Sequence, residues 1–364
     1  MISFAMTDEQ ASARDAIRGF AATALRPNAR AYDEASAIPD AFYPQAWELG
    51  LTATQLPEAY GGYGAPRSPV TNAIVLEELA YGDAALALAA AAPSLFAYAV
   101  ADQGTEAQRR TYLPALCGAH YHAATLAVAE PTPAFNAFAP RTRAVADGDG
   151  WRLSGRKCCV PLGDRASHVL VIAAVDDGLG AFIVAHGATG LRIADAEKNL
   201  GLRALPTATL DFARVRVDVG DRLGGAAGCD VPRLLNHSRV ALAAVLNGMS
   251  RAVLDYCVPY ARERVAFGEA IARKQSIAFR LAEMQMEVES MRWMIWKAAS
   301  QLERGRDATR STHLARIYAG EKAMWIADNG VQVLGGHGFI REHPVELWYR
   351  NARTLSVLEG VAAV

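Results

Sequence analysis

Apolar residues recur at intervals of three and four positions over the first third of the chain and again over its last third. This is the period of a helix that buries one face. In the first third, the spacing predicts helices over residues 11–25, 42–51 and 70–81. Pro39 and the glycine-rich residues 57–66 separate these helices, because proline and clustered glycines interrupt helical structure.

The pattern changes between about residues 121 and 223, where apolar runs are short, rich in β-branched or aromatic residues, and separated by Gly, Pro and Asp. Such runs are typical of strands joined by turns. Alternation over residues 210–217 indicates a strand with one solvated face. The predicted strands include WRLSG, HVLVIAAV, GAFIVA and ATLDFARVRV. We expect a compact β-barrel or sandwich.

Long helical patterns return in the last third, over residues 238–264, 276–304 and 309–334. Gly305 and the Gly335-Gly336 pair mark helix ends. A short final helix is predicted to begin near Pro344. The predicted domains are an N-terminal all-α domain (1–118), a middle β domain (119–225) and a C-terminal helical bundle (226–364).

The 364 residues suffice for two or three domains, and the 52% apolar content suits large buried cores. The net charge of −1 gives no positive field to attract nucleic acid or an anionic membrane. The opening residues, MISFAMTDEQ, lack the basic and apolar pattern of a signal sequence, so we do not expect one there. Five cysteines, at positions 117, 158, 159, 229 and 257, lack metal-ligand spacing. We therefore expect reduced thiols, no metal site and a cytoplasmic location.

Residues 84–101, AALALAAAAPSLFAYAVA, form the most apolar stretch of the chain. Their number approaches that of a membrane span. Because Pro93 interrupts the stretch and alanine dominates it, we expect a buried pair of helices and no membrane span.

Three later segments combine residue types found around bound ligands. Residues 262–268, RERVAFG, either hold a phosphate and an aromatic ring or simply end a helix with dipole-complementing arginines. Residues 332–339, QVLGGHGF, either let the backbone approach a ligand or form an ordinary glycine helix stop. Glu359, followed by Gly360, is either a buried general base or an exposed acid near the end of the sequence.

In their order along the chain, these segments resemble the acyl-CoA dehydrogenase family. The resemblance starts upstream with PEAYGGYG, Glu130-Pro131, WRLSGRK and TATLDFARVRV, and it covers essentially the whole chain. It implies an acyl-CoA dehydrogenase-like fold: an N-terminal helical domain, a middle β domain and a C-terminal four-helix bundle. The matching C-terminal positions are Arg239, Arg264 to Gly268 (R-x-x-F-G), Gln275, Gln332 to Phe339 (Q-x-x-G-G-x-G-F), residues 344–346 (PVE) and Glu359-Gly360.

The resemblance implies an FAD enzyme that converts an acyl-CoA, or another acyl thioester, to its trans-2-enoyl product. Glu359 would remove the α-proton while the β-hydrogen leaves as hydride to flavin N5. The usual assembly is a homotetramer, and electron-transfer flavoprotein is the usual acceptor. The substrate-contacting residues implied are Arg239, Ser238 and Gly360; Ser238 occupies the position of the base in some branches and cannot serve as a carboxylate. The FAD-contacting residues implied, several of them on a neighbouring subunit, are Arg264, Phe267, Gln275, Gln332, Gly335, Gly336, Ala129 and Pro161.

The chain departs from the family pattern around the expected flavin. Ala129 replaces a threonine whose hydroxyl faces the flavin, and residues 132–136 (TPAFN) replace a glycine-rich stretch that contacts CoA. Residues 159–163 (CVPLG) replace Trp-Ile-Thr-Asn-Gly, and Pro161 has neither a side-chain donor nor an N–H. Residues 361–364 (VAAV) stand where Thr-Ser or Thr-Asn and another helix usually follow.

The Val-Pro version of the flavin-covering segment resembles a steroid-degrading branch whose members form heterotetramers of two different subunits. Three hypotheses follow from the sequence. The chain is an active FAD-dependent acyl-thioester dehydrogenase, one subunit of a heteromeric dehydrogenase for bulky acyl-CoA, or a degenerate, non-catalytic partner subunit. The acyl carrier, CoA or acyl-carrier protein, stays open.

Overall fold

The computed structural model describes residues 5–133, 135–176 and 178–364, so Ala134 of the altered loop lies outside the described residues. The N-terminal helices are α1 (Asp8–Phe20), α2 (Ala29–Ala35), α3 (Phe42–Trp47), α4 (Pro69–Gly82), α5 (Ala84–Gln103) and α6 (Glu106–Cys117). The strands of the middle region are β1 (Ala124–Ala127), β2 (Arg143–Asp147), β3 (Gly150–Pro161), β4 (His168–Val175), β5 (Gly178–Ala185), β6 (Leu191–Ile193) and β7 (Thr207–Asp218). The C-terminal helices are α7 (Val231–Glu263), α8 (Gln275–Glu303), α9 (Thr309–Leu334) and α10 (Val345–Val357), with the short hairpin β8 (Val265–Ala266) and β9 (Glu269–Ala270) between α7 and α8.

The helices predicted in the last third are confirmed, with one end displaced. The pattern over residues 309–334 matches α9 residue for residue, and that over 276–304 matches α8 to within one residue. By contrast, α7 begins seven residues before the predicted start. The reason is a cap: the Asp230 carboxylate accepts a hydrogen bond of 2.9 Å from the backbone N–H of Arg233, which starts the helix there.

The prediction of two helices over residues 84–101 is wrong, because α5 is one continuous helix that contains Pro93. A proline removes only one backbone hydrogen bond from a helix. Every residue from Ala84 to Val100 is buried, so packing on all sides offsets that loss. Asp83 caps the helix by accepting a 2.9 Å hydrogen bond from the N–H of Leu86, and burial raises the pKa of Asp83 to about 6.

The longest helix, α7, runs through the centre of the C-terminal bundle and packs against α4, α8, α9 and α10. Its residues 240–246 are completely buried. Within the described residues, α5 and α7 are both long and apolar enough to cross a membrane, yet 94% and 83% of their apolar windows are buried inside the fold. Both helices therefore supply the core of this structure.

The predicted strands are confirmed and form one curled, mixed sheet. β1 and then β2 pair in parallel along one edge of β4, while β5 pairs antiparallel along the other edge. β3 joins β2 to β7 by antiparallel pairing, and β6 completes the sheet at β7. Side chains from β3, β5 and β7, including Leu153, Phe182 and Val215, share one buried cluster, because the sheet curls around it.

One register shift in the sheet lies between Lys157 and Val160 on β3. Cys159, inside this bulge, adopts a left-handed backbone with φ of 53°. Such bulges redirect a strand and the side chains that follow it. The segment that the sequence places beside a flavin is therefore the irregular end of β3.

The contact between α4 and α7 depends on Gly248. A Cβ atom at this position would lie 2.0 Å from the carbonyl oxygen of Glu77, so Gly248→Ala forces the two helices apart. We expect unfolding free energy to fall by about 1–3 kcal/mol, the usual range for overpacking, even though alanine favours helix. The matched control is Gly19→Ala in α1, where nothing lies within 4 Å. It should raise stability by about 0.5–1 kcal/mol. Urea titration checks both, and a stable Gly248→Ala protein would contradict the close packing.

Candidate active site

Glu359 lies in the loop that follows α10. Its side chain is only 19% exposed, and Oε1 lies 3.5 Å from Nε of Arg239 on α7 in an ion pair without a hydrogen bond. The second oxygen, Oε2, is buried and has no hydrogen-bond partner among the described residues. Buried polar atoms are normally hydrogen-bonded. The carboxylate therefore keeps one oxygen beside a cation and the other free to accept a proton.

Gly360 brings the Glu359 loop against the sheet. Its φ is +77°, and a Cβ atom here would lie 2.3 Å from Cγ2 of Val128. Both conditions exclude a side chain at this position. Because Val128 directly follows β1 and precedes Ala129, the loop holds Glu359 where the sheet and the bundle meet.

Two of the predicted substrate-contacting residues, Ser238 and Arg239, lie side by side on α7. The Arg239 guanidinium is 4.9 Å from the centre of the Phe138 ring, so it lies between an aromatic face and the Glu359 carboxylate. Ser238 is fully buried, and its Oγ has no hydrogen-bond partner in the described part of the chain. The structure thus brings Glu359, Gly360 and Arg239 together, with Ser238 next to them on the helix.

His237, also on α7, holds the segment that follows Gly360. Its Nδ1 lies 2.7 Å from the carbonyl oxygen of Val364, which also accepts a 3.0 Å hydrogen bond from Arg67. Burial lowers the pKa of His237 to about 4. The ring is therefore neutral at physiological pH, and His237 and Arg67 together hold the Val364 carbonyl oxygen.

A cavity of about 520 Å³ opens between α9 and α10 beside Glu359. Its walls combine the apolar side chains of Ile317, Met324 and Val357 with the guanidinium groups of Arg316 and Arg353. Apolar walls with a few polar groups are typical of ligand sites. Glu359 is itself one of the residues that line this space of ligand size.

The other predicted C-terminal residues form a second patch, at the far ends of α7 and α9. Tyr260, one turn before the end of α7, places its hydroxyl 3.4 Å from the carbonyl oxygen of Leu334 and 2.9 Å from Nδ1 of His337. This contact joins the end of α7, which leads into the β8–β9 hairpin, to the glycine-rich end of α9. The residues brought to this patch are Arg264, Phe267, Gln275, Gln332, Gly335 and Gly336, all exposed.

The two patches of one chain are far apart. Arg239 and Arg264 are separated by about 25 residues of the same helix, which corresponds to roughly 38 Å at 1.5 Å per residue. A single small ligand cannot bridge these two sets within one chain.

Ala129 and Pro161 lie on the sheet side of the site, where two neighbouring backbone donors are already engaged. Cys158 donates its N–H to the Ala129 carbonyl at 2.9 Å, and Cys159 donates its N–H to the Glu197 carboxylate at 3.0 Å. Pro161 pairs with Thr207 in the sheet. The side chain of Ala129 is a methyl group and Pro161 has no backbone N–H, so neither the Ala129 side chain nor Pro161 adds a hydrogen-bond donor.

A buried ion pair fixes this side of the site. Lys157 Nζ lies 2.9 Å from both Glu130 Oε1 and the Val128 carbonyl. Burial raises the pKa of the Glu130 carboxyl, but hydrogen bonds from Thr142 and the charge of Lys157 outweigh burial and bring the pKa below its usual value. The ion pair ties β1, which leads to Ala129, to β3, which leads to Pro161.

Arg316 on α9 is a site residue that the sequence interpretation missed. Its side chain lines the cavity, is almost completely buried and contacts the loop that carries Glu359. The sequence feature that could have revealed Arg316 is a single arginine within a helical stripe of small residues, all of them buried in the structure: Thr312, Ala315, Ala319 and Ala323. Phe138, by contrast, lies in a loop without any pattern that could have revealed its stacking on Arg239.

Most of the chain matches three family models in order. They are those of the acyl-CoA dehydrogenase N-terminal domain over residues 7–120, the middle domain over 125–215 and the C-terminal domain over 230–364. The chain belongs to the acyl-CoA dehydrogenase family. The probable acyl-CoA dehydrogenase FadE25 of Mycobacterium tuberculosis is 33% identical over 366 residues, covering 98% of this chain and 93% of that protein.

Two solved structures resemble this acyl-CoA dehydrogenase family member closely. Butyryl-CoA dehydrogenase from Megasphaera elsdenii superposes with a TM-score of 0.90 at 29% identity, covering 99% of this chain and 96% of that one. A chain solved in work on the electron transferring flavoprotein of Acidaminococcus fermentans gives 0.89 at 28% identity, again over 99% and 96%. The acyl-CoA dehydrogenase fold expected from the sequence is confirmed.

The buried His237 makes stability depend on pH. In the folded chain its pKa is about 4, below the ordinary 6.5, so the unfolded chain binds more protons between these values. Stability from this residue is therefore intact above about pH 6.5 and declines as pH falls toward 4, by about 3 kcal/mol at most. Denaturant titrations should show a shallower acid decline for His237→Gln than for wild type. Replacement of the exposed His313 by Gln is the control, and equal slopes in all three would refute the assignment.

Proposed function

We propose that this chain is an FAD-dependent dehydrogenase that introduces a trans double bond between the α and β carbons of an acyl thioester. The single observation that carries the proposal is the Glu359 carboxylate, which lines a cavity of about 520 Å³ and has one oxygen, Oε2, that is buried and unpartnered among the described residues. A base in such a place can take a proton from a substrate carbon while water stays out. The acyl-CoA class of substrate follows from family membership.

The exposed patch at the ends of α7 and α9 fits FAD. Arg264 offers a guanidinium suited to a diphosphate, and backbone N–H groups at Gly335 and Gly336 can approach it because no side chain stands there. Phe267, 94% exposed, offers an aromatic ring for stacking. Gln275 and Gln332 add amide groups at the rim. When bound, the flavin supplies the acceptor for the β-hydrogen, which leaves as hydride.

In the proposed reaction, Oε2 of Glu359 takes the α-proton and the electrons of that C–H bond form the new double bond as the β-hydrogen departs with its electron pair. An α-proton is too weakly acidic for a carboxylate unless the carbonyl is polarised. We assign that role to the backbone N–H of Glu359. Arg239, 3.5 Å from Oε1, holds the carboxylate in orientation. Ser238, next to Arg239 on α7, and Gly360, next to the base, are proposed as further substrate contacts.

The separation of roughly 38 Å along α7 between Arg239 and Arg264 supports a site built from two copies of the chain. One copy would supply Glu359, Ala129 and Pro161, and the other the Arg264 patch. An exposed apolar stripe on α8, Phe279, Met286 and Trp293 at seven-residue spacing, is 57%, 65% and 44% exposed. Such a stripe suits a partner helix. We therefore propose a homo-oligomer, either a dimer or a tetramer.

A second candidate, one subunit of a heteromeric dehydrogenase for bulky acyl-CoA, is favoured by the sheet side of the site. The side chains of Ala129 and Pro161 supply no donor, Pro161 has no backbone N–H, and the N–H of Cys159 is engaged by Glu197. A different partner chain would then complete the cofactor site. A chain that is colourless when purified alone but yellow after co-expression with a second family member would support this candidate over the homo-oligomer.

Electron-transfer flavoprotein is the proposed electron acceptor, in keeping with the similarity to the Acidaminococcus chain. A cytoplasmic location stays a prediction from the sequence. The preferred acyl chain length can be determined by measuring turnover of a panel of saturated acyl-CoA thioesters.

Replacing the base tests the proposal directly. Glu359→Gln keeps shape but cannot accept a proton, so turnover of the best acyl-CoA should fall by at least about 100-fold while FAD content and thioester binding persist. Stopped-flow absorbance of the flavin measures the reduction step. Glu283→Gln, an exposed α8 substitution, is the matched control. Turnover at the wild-type rate in Glu359→Gln would rule out this base.

Co-expression tests whether one site draws on two copies. Neither Glu359→Gln nor Arg264→Ala should be active alone. In a mixed dimer, however, one of the two sites regains both an intact Glu359 and an intact Arg264 from different chains, so about half of wild-type activity should return. Differently tagged chains, purified through both tags, give the mixed species. No recovery in that species would place all the FAD contacts within a single chain.

A further inference from the structure

Arg316 is a buried cation that the proposed proton transfer does not itself use. Its side chain is 6% exposed, and Nε has no hydrogen-bond partner among the described residues. Burying a guanidinium is costly unless its surroundings compensate for the lost water. The compensation comes from one place, the end of α10.

One nitrogen of Arg316, Nη2, reaches three backbone carbonyls there. It lies 2.8 Å from the carbonyl oxygen of Leu355, 3.2 Å from that of Ser356 and 2.8 Å from that of Leu358. The last carbonyls of a helix lack partners within the helix and carry its negative dipole end. Arg316 therefore caps α10 at the residue immediately before Glu359.

The fit of the guanidinium is tight. Gly320, one turn along α9, leaves the space for it: a Cβ atom at residue 320 would lie 3.1 Å from Nη1 of Arg316. Burial lowers the pKa of the Arg316 guanidinium, and the Glu359 carboxylate is its main opposing influence. The cation is thus linked to the base through the loop backbone and also through charge.

We infer that Arg316 is a positioning residue, which fixes the loop after α10 so that Glu359 points its free oxygen at the substrate. The inference rests on the proposed function of Glu359. Arg239 contacts the carboxylate from the α7 side, whereas Arg316 holds the backbone from the α9 side. A loop fixed at Leu358 by Arg316 and at Gly360 by Val128 leaves Glu359 little freedom between them.

The test compares Arg316→Lys and Arg316→Gln with Arg310→Lys, an exposed control on the same helix. A displacement of about 1 Å at a reacting group costs about 100-fold in rate. Lysine keeps the charge but not the planar group that reaches three carbonyls. Both Arg316 variants should therefore lose roughly 10- to 100-fold in kcat with KM and FAD content nearly unchanged. The kinetic isotope effect with an α-deuterated acyl-CoA should rise, because proton removal becomes limiting.

Gly320→Ala supplies a variant that should fold at least as well as wild type, since alanine favours helix. Its methyl group crowds Nη1, so a smaller fall in kcat, with a raised isotope effect and an undiminished melting temperature, is expected.

Three results would overturn the inference. One is wild-type kcat in Arg316→Gln. Another is full activity in Arg316→Lys, which would show that a positive charge at residue 316 is sufficient and that the planar guanidinium is not needed to position Glu359. The third is a loss that follows FAD content or unfolding, with the isotope effect unchanged. If wild type itself turns over no acyl-CoA although it binds FAD, the proposed function fails, and the role of Arg316 fails with it.

Discussion

Glu359 is held in place because residue 360 has no side chain. The close approach of Gly360 to Val128, where a Cβ atom would fall 2.3 Å from a methyl carbon, is the point at which the bundle touches the sheet next to the base. The nearby features depend on it. Arg239 can face the carboxylate only if the loop turns toward α7, and the following residues reach His237 and Arg67 only after the positive-φ turn. A single missing methyl group thus sets the geometry of the site.

The second constraint is the length of α7. An α-helix of 33 residues is about 50 Å long, so it carries Arg239 and Arg264 at opposite ends of the molecule. Its core positions are almost all small or aliphatic, which lets the surrounding helices, α5 among them, pack closely around it. The same burial that makes α7 look like a membrane span by composition makes it a rigid rod within the protein. The two halves of the proposed cofactor site are therefore held at a fixed distance.

Much of the fold was predictable because its periodicities are long and unambiguous. The pattern over residues 309–334 predicted α9 at both ends, and HVLVIAAV is the whole of β4. Failures had local causes. Pro93 suggested a helix break, but burial of every α5 residue from Ala84 to Val100 outweighed one lost hydrogen bond. The start of α7 was missed because an Asp cap overrode the hydrophobic pattern.

The site was only partly predictable, since contacts between distant segments leave weak marks in a sequence. Glu359-Gly360 and Arg239 carried a recognisable pattern, and the structure brings them together. The stacking of Phe138 on Arg239 left no recognisable pattern in the sequence, because it depends on how a loop folds back. Lys157, buried against Glu130, sat in a strand pattern that gave no reason to expect a buried charge. Contact of the predicted FAD residues with FAD stays a prediction.

A cofactor site split between the two ends of a rigid helix has a consequence for how such a protein retains its flavin. If half of the binding energy comes from a second chain, dissociation of the assembly removes that half at once. Apparent flavin affinity then becomes a function of protein concentration, through the same mass action that stabilises any ligand-bound state. Dilution would release cofactor and separate chains together. Bound flavin would, in turn, stabilise the association of the chains.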